Sequence, residues 1–156
     1  MYKQQLTKEQ ALQKVKHYCA YQERCHSEVK EKLYSLGLYK NEVEETIATL
    51  IEENYLNEER FAIQFTGGRF RIKQWGRVKI KYELKQKQVS EYCIKKALKE
   101  INETDYLKTL QKLAVQKIST LKSEKNIFSK KRKLQDHLLA KGYEPGLVNN
   151  IINEML

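Results

Sequence analysis

A single proline and six glycines in 156 residues leave little punctuation for strands and tight turns, and nothing that reads as a flexible linker. No run of about 18 apolar residues occurs, so nothing in the sequence is suited to crossing a bilayer. Met1 to Gln10 is polar and lacks the apolar stretch of a signal peptide. The expectation is a cytoplasmic protein with no membrane association. Cys19, Cys25 and Cys93 are odd in number and show no CxxC spacing, which points to reduced thiols and not to a disulfide framework. His17, Cys19, Cys25 and His26 lie close together, but their spacing does not match that of a zinc site. The bland reading places Cys19 inside a helix end, with Cys25 and His26 in the turn after it.

Catalytic signatures are also missing. Gly67-Gly68 lacks the spacing and the Lys-Ser/Thr ending of a phosphate loop. No Ser-His-Asp or Cys-His pattern stands out. The acidic residues between Asn41 and Glu59 read as a solvated face and helix-start residues, not as a catalytic pair. These absences argue against an enzyme, a metal site and a cofactor.

What is abundant is helix-forming residues and positive charge. The formal net charge is +10, which suggests an anionic partner, most simply nucleic acid. Helix-period patterns cover almost the whole chain. Thr7 caps a helix to about Tyr21. Ser27 is placed to cap a second helix, from Glu28 to about Leu36, with Gly37 as its stop. A third runs from about Asn41 to Glu53. Asn57 caps a fourth whose first turn carries Glu58 and Glu59, suited to the positive end of the helix dipole. Gly67-Gly68 in that helix predicts a kink or a close approach of another group.

Aligning the apolar positions brings out an internal repeat. Val29, Leu33, Gly37, Leu38, Val43 and Ile47 have the same mutual spacing as Ile80, Leu84, Gln88, Val89, Ile94 and Leu98. The spacing recurs at Leu134, Leu138, Gly142, Tyr143, Val148 and Ile152. Each set reads as helix, tight turn, helix. A further helix precedes each pair, at about 7–21, 57–73 and 103–122. The expected fold is all-α: three tandem three-helix repeats, helix-turn-helix-like, at 1–56, 57–101 and 102–156. A unit of about 50 residues is near the lower limit of independent stability, and stacking buries extra apolar surface. The fixed spacing favours an elongated, curved array over a compact nine-helix bundle, which needs no sequence register between its parts. Phe61, Phe65, Ile80 and Leu84 are expected to pack together in the middle repeat.

The charge is segregated along the chain. Asn41–Glu59 holds seven acidic residues and no basic one, whereas Thr66–Lys99 holds eleven Lys or Arg against two Glu. Arg77, Lys81 and Lys85 follow at i, i+4, i+8, opposite Ile80 and Leu84. Arg69, Arg71 and Lys73 lie just before them, around Trp75 and Gly76. Trp75 is either a lid on the core or an exposed aromatic at a partner surface. Lys79 lies between Arg77 and Lys81, and Lys95, Lys96 and Lys99 follow on the next helix. Lys130, Lys131, Arg132 and Lys133 form a second basic run at a helix start, where cations oppose the dipole. A solvated face is the ordinary meaning of any one such stripe. Three adjacent helices with the same excess point to a partner.

The stretch Tyr55-Leu56-Asn57-Glu58-Glu59-Arg60-Phe61-Ala62, then Phe65, then Gly76-Arg77-Val78-Lys79-Ile80 with Glu83-Leu84, resembles the RecX regulatory proteins of bacteria. The resemblance implies three tandem three-helix repeats and a non-catalytic regulator of the RecA recombinase. Such a protein binds RecA filaments on single-stranded DNA, lies in the filament groove and restrains filament growth. It implies RecA and single-stranded DNA as partners of a monomer that needs no cofactor. Arg60 belongs to the resembling motif and joins the cationic residues above as a candidate contact. Gln88 departs from the glycine usual at its position, which predicts an altered turn. The competing reading is a helix-turn-helix transcriptional regulator that places a helix in the major groove.

Overall fold

Helix boundaries follow from where the sequence supplies caps and from where the chain turns left-handed. The computed structural model describes residues 5–156, and among them are nine α-helices and no strand. They are α1 (Lys8–Tyr21), α2 (His26–Ser35), α3 (Lys40–Glu52), α4 (Glu58–Arg71), α5 (Arg77–Gln86), α6 (Glu91–Lys99), α7 (Glu103–Thr120), α8 (Ile127–Ala140) and α9 (Pro145–Met155). None is long and apolar enough to cross a membrane.

Thr7 caps α1 as its sequence suggests: its hydroxyl accepts from the Gln10 N–H at 3.2 Å, and the Gln10 side chain accepts from the Thr7 N–H at 3.0 Å. Asn57 caps α4 by accepting from the Arg60 N–H at 2.9 Å. Ser27 does not cap α2. The helix starts two residues earlier, at His26, with Cys25 as its N-cap residue and the Glu28 carboxylate accepting the Cys25 N–H at 3.1 Å. The Ser27 hydroxyl is thereby freed, and it donates instead to the Lys87 carbonyl at 2.8 Å. Cys25 is fully buried and Cys19 nearly so, and burial raises both thiol pKa values. Gly67-Gly68 introduces no break in α4. Gly67 instead leaves room for the Arg71 guanidinium, whose nearest atom lies 2.7 Å from where a Cβ would sit.

The repeated spacing has a structural counterpart at the three helix–helix turns. Gly37, Gln88 and Gly142 all have positive φ, at 92°, 62° and 97°. At each turn that residue's N–H reaches the carbonyl three residues back, and the next N–H reaches five back. The distances are 3.0 and 3.4 Å after α2, 2.9 and 3.1 Å after α5, and 2.9 and 3.3 Å after α8. Gln88 therefore keeps the geometry of the two glycines, contrary to the altered turn expected of it. The hydrogen bonds hold a side chain where glycine meets no steric cost. The apolar positions also match: Val29, Val43, Ile80, Ile94, Leu134 and Val148 are all buried at 1% exposure or less.

By contacts the chain forms two compact units, one of residues up to Phe65 with Leu84–Lys96, the other of Thr66–Glu83 with Ala97–Leu156. The middle helices α4, α5 and α6 contribute to both. The first unit's core holds Ala11, Val15, Val29, Leu33, Val43 and Leu50. The second is built on Tyr106, Leu110, Leu134, Leu138, Tyr143 and Val148. Each fully buried Leu or Val is worth about 1.5–3 kcal/mol. Of the aromatic pair expected in the middle repeat, Phe61 is buried and Phe65 half-buried, with ring centroids 5.7 Å apart.

Candidate functional site

The cations singled out in the sequence fall into three classes: those used to hold the fold, those resting on an aromatic ring, and those facing solvent. Arg60 belongs to the first. Its Nε donates to the Glu23 carboxylate at 2.8 Å, and its terminal nitrogens donate to the Asn54 side chain and carbonyl at 3.2 and 3.1 Å. Asn54 is left-handed, with φ of 63°, so Arg60 fastens the turn between α3 and α4.

Arg77 is held more firmly. Its terminal nitrogens pair with Glu103 and, at 3.2 Å, with Glu144, while its guanidinium carbon lies 3.9 Å from the centre of the Tyr106 ring. The Tyr106 hydroxyl accepts the Arg77 backbone N–H at 2.9 Å and donates to the Glu144 carboxylate. Burial, reinforced by that bond to Glu144, pushes the Tyr106 phenol well above its ordinary range. The start of α5 is also pinned through its backbone. Gly76 N–H donates to the Lys141 carbonyl at 2.8 Å, and Val78 N–H to the Gly142 carbonyl at 2.9 Å. A Cβ on Gly76 would lie 2.3 Å from the Gly142 oxygen, so the approach requires glycine. Arg77 thus cannot be counted as a freely solvated member of the α5 stripe.

Trp75 is half-buried, with the Arg69 guanidinium 5.5 Å and the Lys79 ammonium 4.5 Å from its ring. The structure brings these three together. Arg71 and Lys73 are exposed at the end of α4. Lys81 is exposed on α5, whereas Lys85 pairs with Glu91 at 3.1 Å. Lys96 pairs with Glu59 at 3.2 Å and lies 5.2 Å from the Tyr92 ring, and these contacts raise its pKa. Lys95 is exposed, and among the described residues no carboxylate pairs with it or with Lys81.

The second basic run lies on α8. Lys133 pairs with Glu124 at 2.6 Å and lowers that carboxyl's pKa. Lys130, Lys131 and Arg132 have no carboxylate partner among the described residues. Asn126 caps α8, accepting from Phe128 and Ser129 at 2.9 and 3.2 Å, and the first turn holds no acidic residue. Phe128 is 81% exposed beside these cations. It was missed in the sequence, although an apolar Ile127-Phe128 pair abutting Ser-Lys-Lys-Arg-Lys was a usable signal. Glu103, Tyr106 and Glu144 were missed because they lie far from Arg77 in the chain. Among the described residues, no group of three His, Cys, Asp or Glu side chains is placed to hold a metal ion.

Residues 57–98 match the profile of the second three-helix domain of RecX, and residues 103–152 that of the third. The chain belongs to the RecX family. It is 34% identical over 133 residues to a regulatory protein RecX of Clostridium perfringens, covering 85% of this chain and 62% of that relative's length. A RecX of Prosthecochloris aestuarii is 28% identical over 146 residues, covering 94% and 93% of the two chains. The crystal structure of RecX from Lactobacillus salivarius shares the fold, with a TM-score of 0.84 at 24% identity over 95% of this chain and 96% of that one. The chain accordingly has the all-α, three-helix-domain architecture of that family.

Proposed function

We propose that this chain regulates the RecA recombinase by binding its filament on single-stranded DNA and, mostly, inhibiting recombinase and ATPase activity. It acts as a cytoplasmic monomer, without a cofactor and without catalysing a reaction of its own. The three repeats, 1–56, 57–101 and 102–156, are the units that would contact successive parts of the filament. The observation that carries this reading is that family membership coincides with exposed or half-buried cations that lack a carboxylate partner among the described residues. Lys81 and Lys95 on α5 and α6, and Lys130, Lys131 and Arg132 on α8, fall within the two matched stretches. Cations left unneutralised in this way favour DNA phosphates or acidic protein surfaces, and contacts to phosphate release counterions. A regulator touching more than one protomer alters filament stability through differential binding to the assembled state. The test is RecA ATPase and filament length on single-stranded DNA with ATP, with and without the protein. Slowed hydrolysis and shorter filaments are expected. Unchanged filaments at saturating protein would refute the reading.

A further inference from the structure

The sequence has two basic regions, and the one on α8 carries the more open aromatic ring: Phe128 is 81% exposed, against 60% for Tyr82 on α5 and 63% for Tyr92 on α6. Phe128 is the second residue of α8, a position that forgoes burial. Lys131, Arg132 and Gln135 follow at i+3, i+4 and i+7, so all four share one face of the helix. That face forms one wall of a groove of about 710 Å³, and Asn149 and Asn153 of α9 line the other. Gln135 donates to the Asn149 side chain at 3.2 Å, which ties the two walls together. Ile152 also lines the groove, and Asp136 is its lone carboxylate.

We infer that this groove is a nucleotide-binding subsite for single-stranded nucleic acid, with a base stacked on Phe128 and the adjoining phosphate on Lys131 and Arg132. The inference rests on the reading above only in taking single-stranded DNA as a partner. Each part of a nucleotide finds its complement. An exposed aromatic face offers stacking to any base. Two cations with no carboxylate partner among the described residues offer charge to a phosphate. The Asn153 amide carries donors and an acceptor for a base edge. Asp136 repels phosphate, so the backbone runs along the Lys131–Arg132 side. A duplex is excluded because its bases are already stacked and present no free face. An acidic protein surface would satisfy the cations but leave the Phe128 ring without a flat partner.

The experiment measures binding of the full chain to a labelled oligothymidylate and to an abasic oligomer of the same length, by fluorescence anisotropy across a salt series. Wild type is expected to prefer the thymidylate. Phe128→Ala should weaken thymidylate binding by roughly 5- to 150-fold, the range for losing one stacked base, and leave abasic binding unchanged. Phe128→Trp should retain it. Lys131→Gln with Arg132→Gln should lower the salt slope on both oligomers by about 0.7, the value for the one phosphate these two cations hold. A thermal melt checks folding, which an exposed ring should not disturb. Phe128→Ala binding thymidylate as wild type does, or losing both oligomers equally, overturns the subsite, as does a wild type blind to the difference. The filament assay is scored separately on wild type. Inert wild type there, with stacking intact on the oligomers, sinks the regulator reading and sustains the subsite.

Discussion

The start of α2 and the start of α5 occupy equivalent places in the repeat, and each meets the helix–helix turn of the following repeat, but by different means. At α2 the meeting is made by side chains: the Ser27 hydroxyl on the Lys87 carbonyl at 2.8 Å, and Glu28 facing Lys87 at 4.0 Å. At α5 it is made by backbone. Gly76 and Val78 donate directly to Lys141 and Gly142, and the Arg77–Tyr106–Glu144 network closes over them. Glycine permits the closer approach: Gly142 and Gly76 stand where the first junction has Gln88 and a side-chain bridge. One fold thus supports a looser and a tighter version of the same joint, and the tighter one takes a cation out of the freely solvated face.

The comparison is most severely tested at the turns. Gly142→Ala should cost about 3 kcal/mol or more, because a Cβ there would lie 2.2 Å from that of Lys79 and the residue sits at φ 97°. Denaturant melts check this, and a loss below 1 kcal/mol would mean the joint can open at little cost. Arg77→Glu should cost about 2–3 kcal/mol, since it sets a third carboxylate against Glu103 and Glu144. Lys81→Glu should stay within about 0.5 kcal/mol while weakening DNA binding. Equal stability of the two variants would return Arg77 to the solvated face. Tyr106→Phe should lose about 1–3 kcal/mol by stranding the Arg77 N–H and the Glu144 oxygen that faces the hydroxyl, while the other Glu144 oxygen keeps Arg77. Ser27→Ala, at the looser joint, should lose about 0.5–1.5 kcal/mol. Gln88→Gly should change stability by less than about 1 kcal/mol, since relief of the left-handed backbone is offset by a freer unfolded chain.

A pH series separates the joints in another way. Burial, with Lys117 and Lys141 adding to it, pulls the His137 imidazole on α8 below its ordinary value of 6.5. The unfolded chain then takes up that proton more readily than the folded one. Stability attributable to His137 is present above pH 6.5 and is lost as the pH falls through the lowered folded value. Stability measured from pH 7.5 to 5 should decline more steeply in wild type than in His137→Gln. Parallel curves would remove His137 from the account.

The repeat was legible because its determinants are local. Val29, Ile80 and Leu134 announce three helices by spacing alone, and Gly37 and Gly142 announce their stops. Thr7 and Asn57 cap because the N–H groups they satisfy lie three residues away. Ser27 shows where that logic stops. Two helix starts were chemically open to it, and a carbonyl sixty residues distant settled the choice.

The sequence by itself determined nine amphipathic helices in a threefold register and an excess of positive charge, since periodicity and composition depend on neighbours along the chain. Only the tertiary structure decided which cations remain free to meet a partner. Arg77 and Lys81 are alike in sequence, one turn apart on the same helix. Arg77 is engaged because Tyr106 and Glu144, both remote in the chain, converge on the start of α5, whereas among the described residues no carboxylate pairs with Lys81. Ion pairing depends on distance in space, and a linear pattern carries no information about which distant carboxylate arrives.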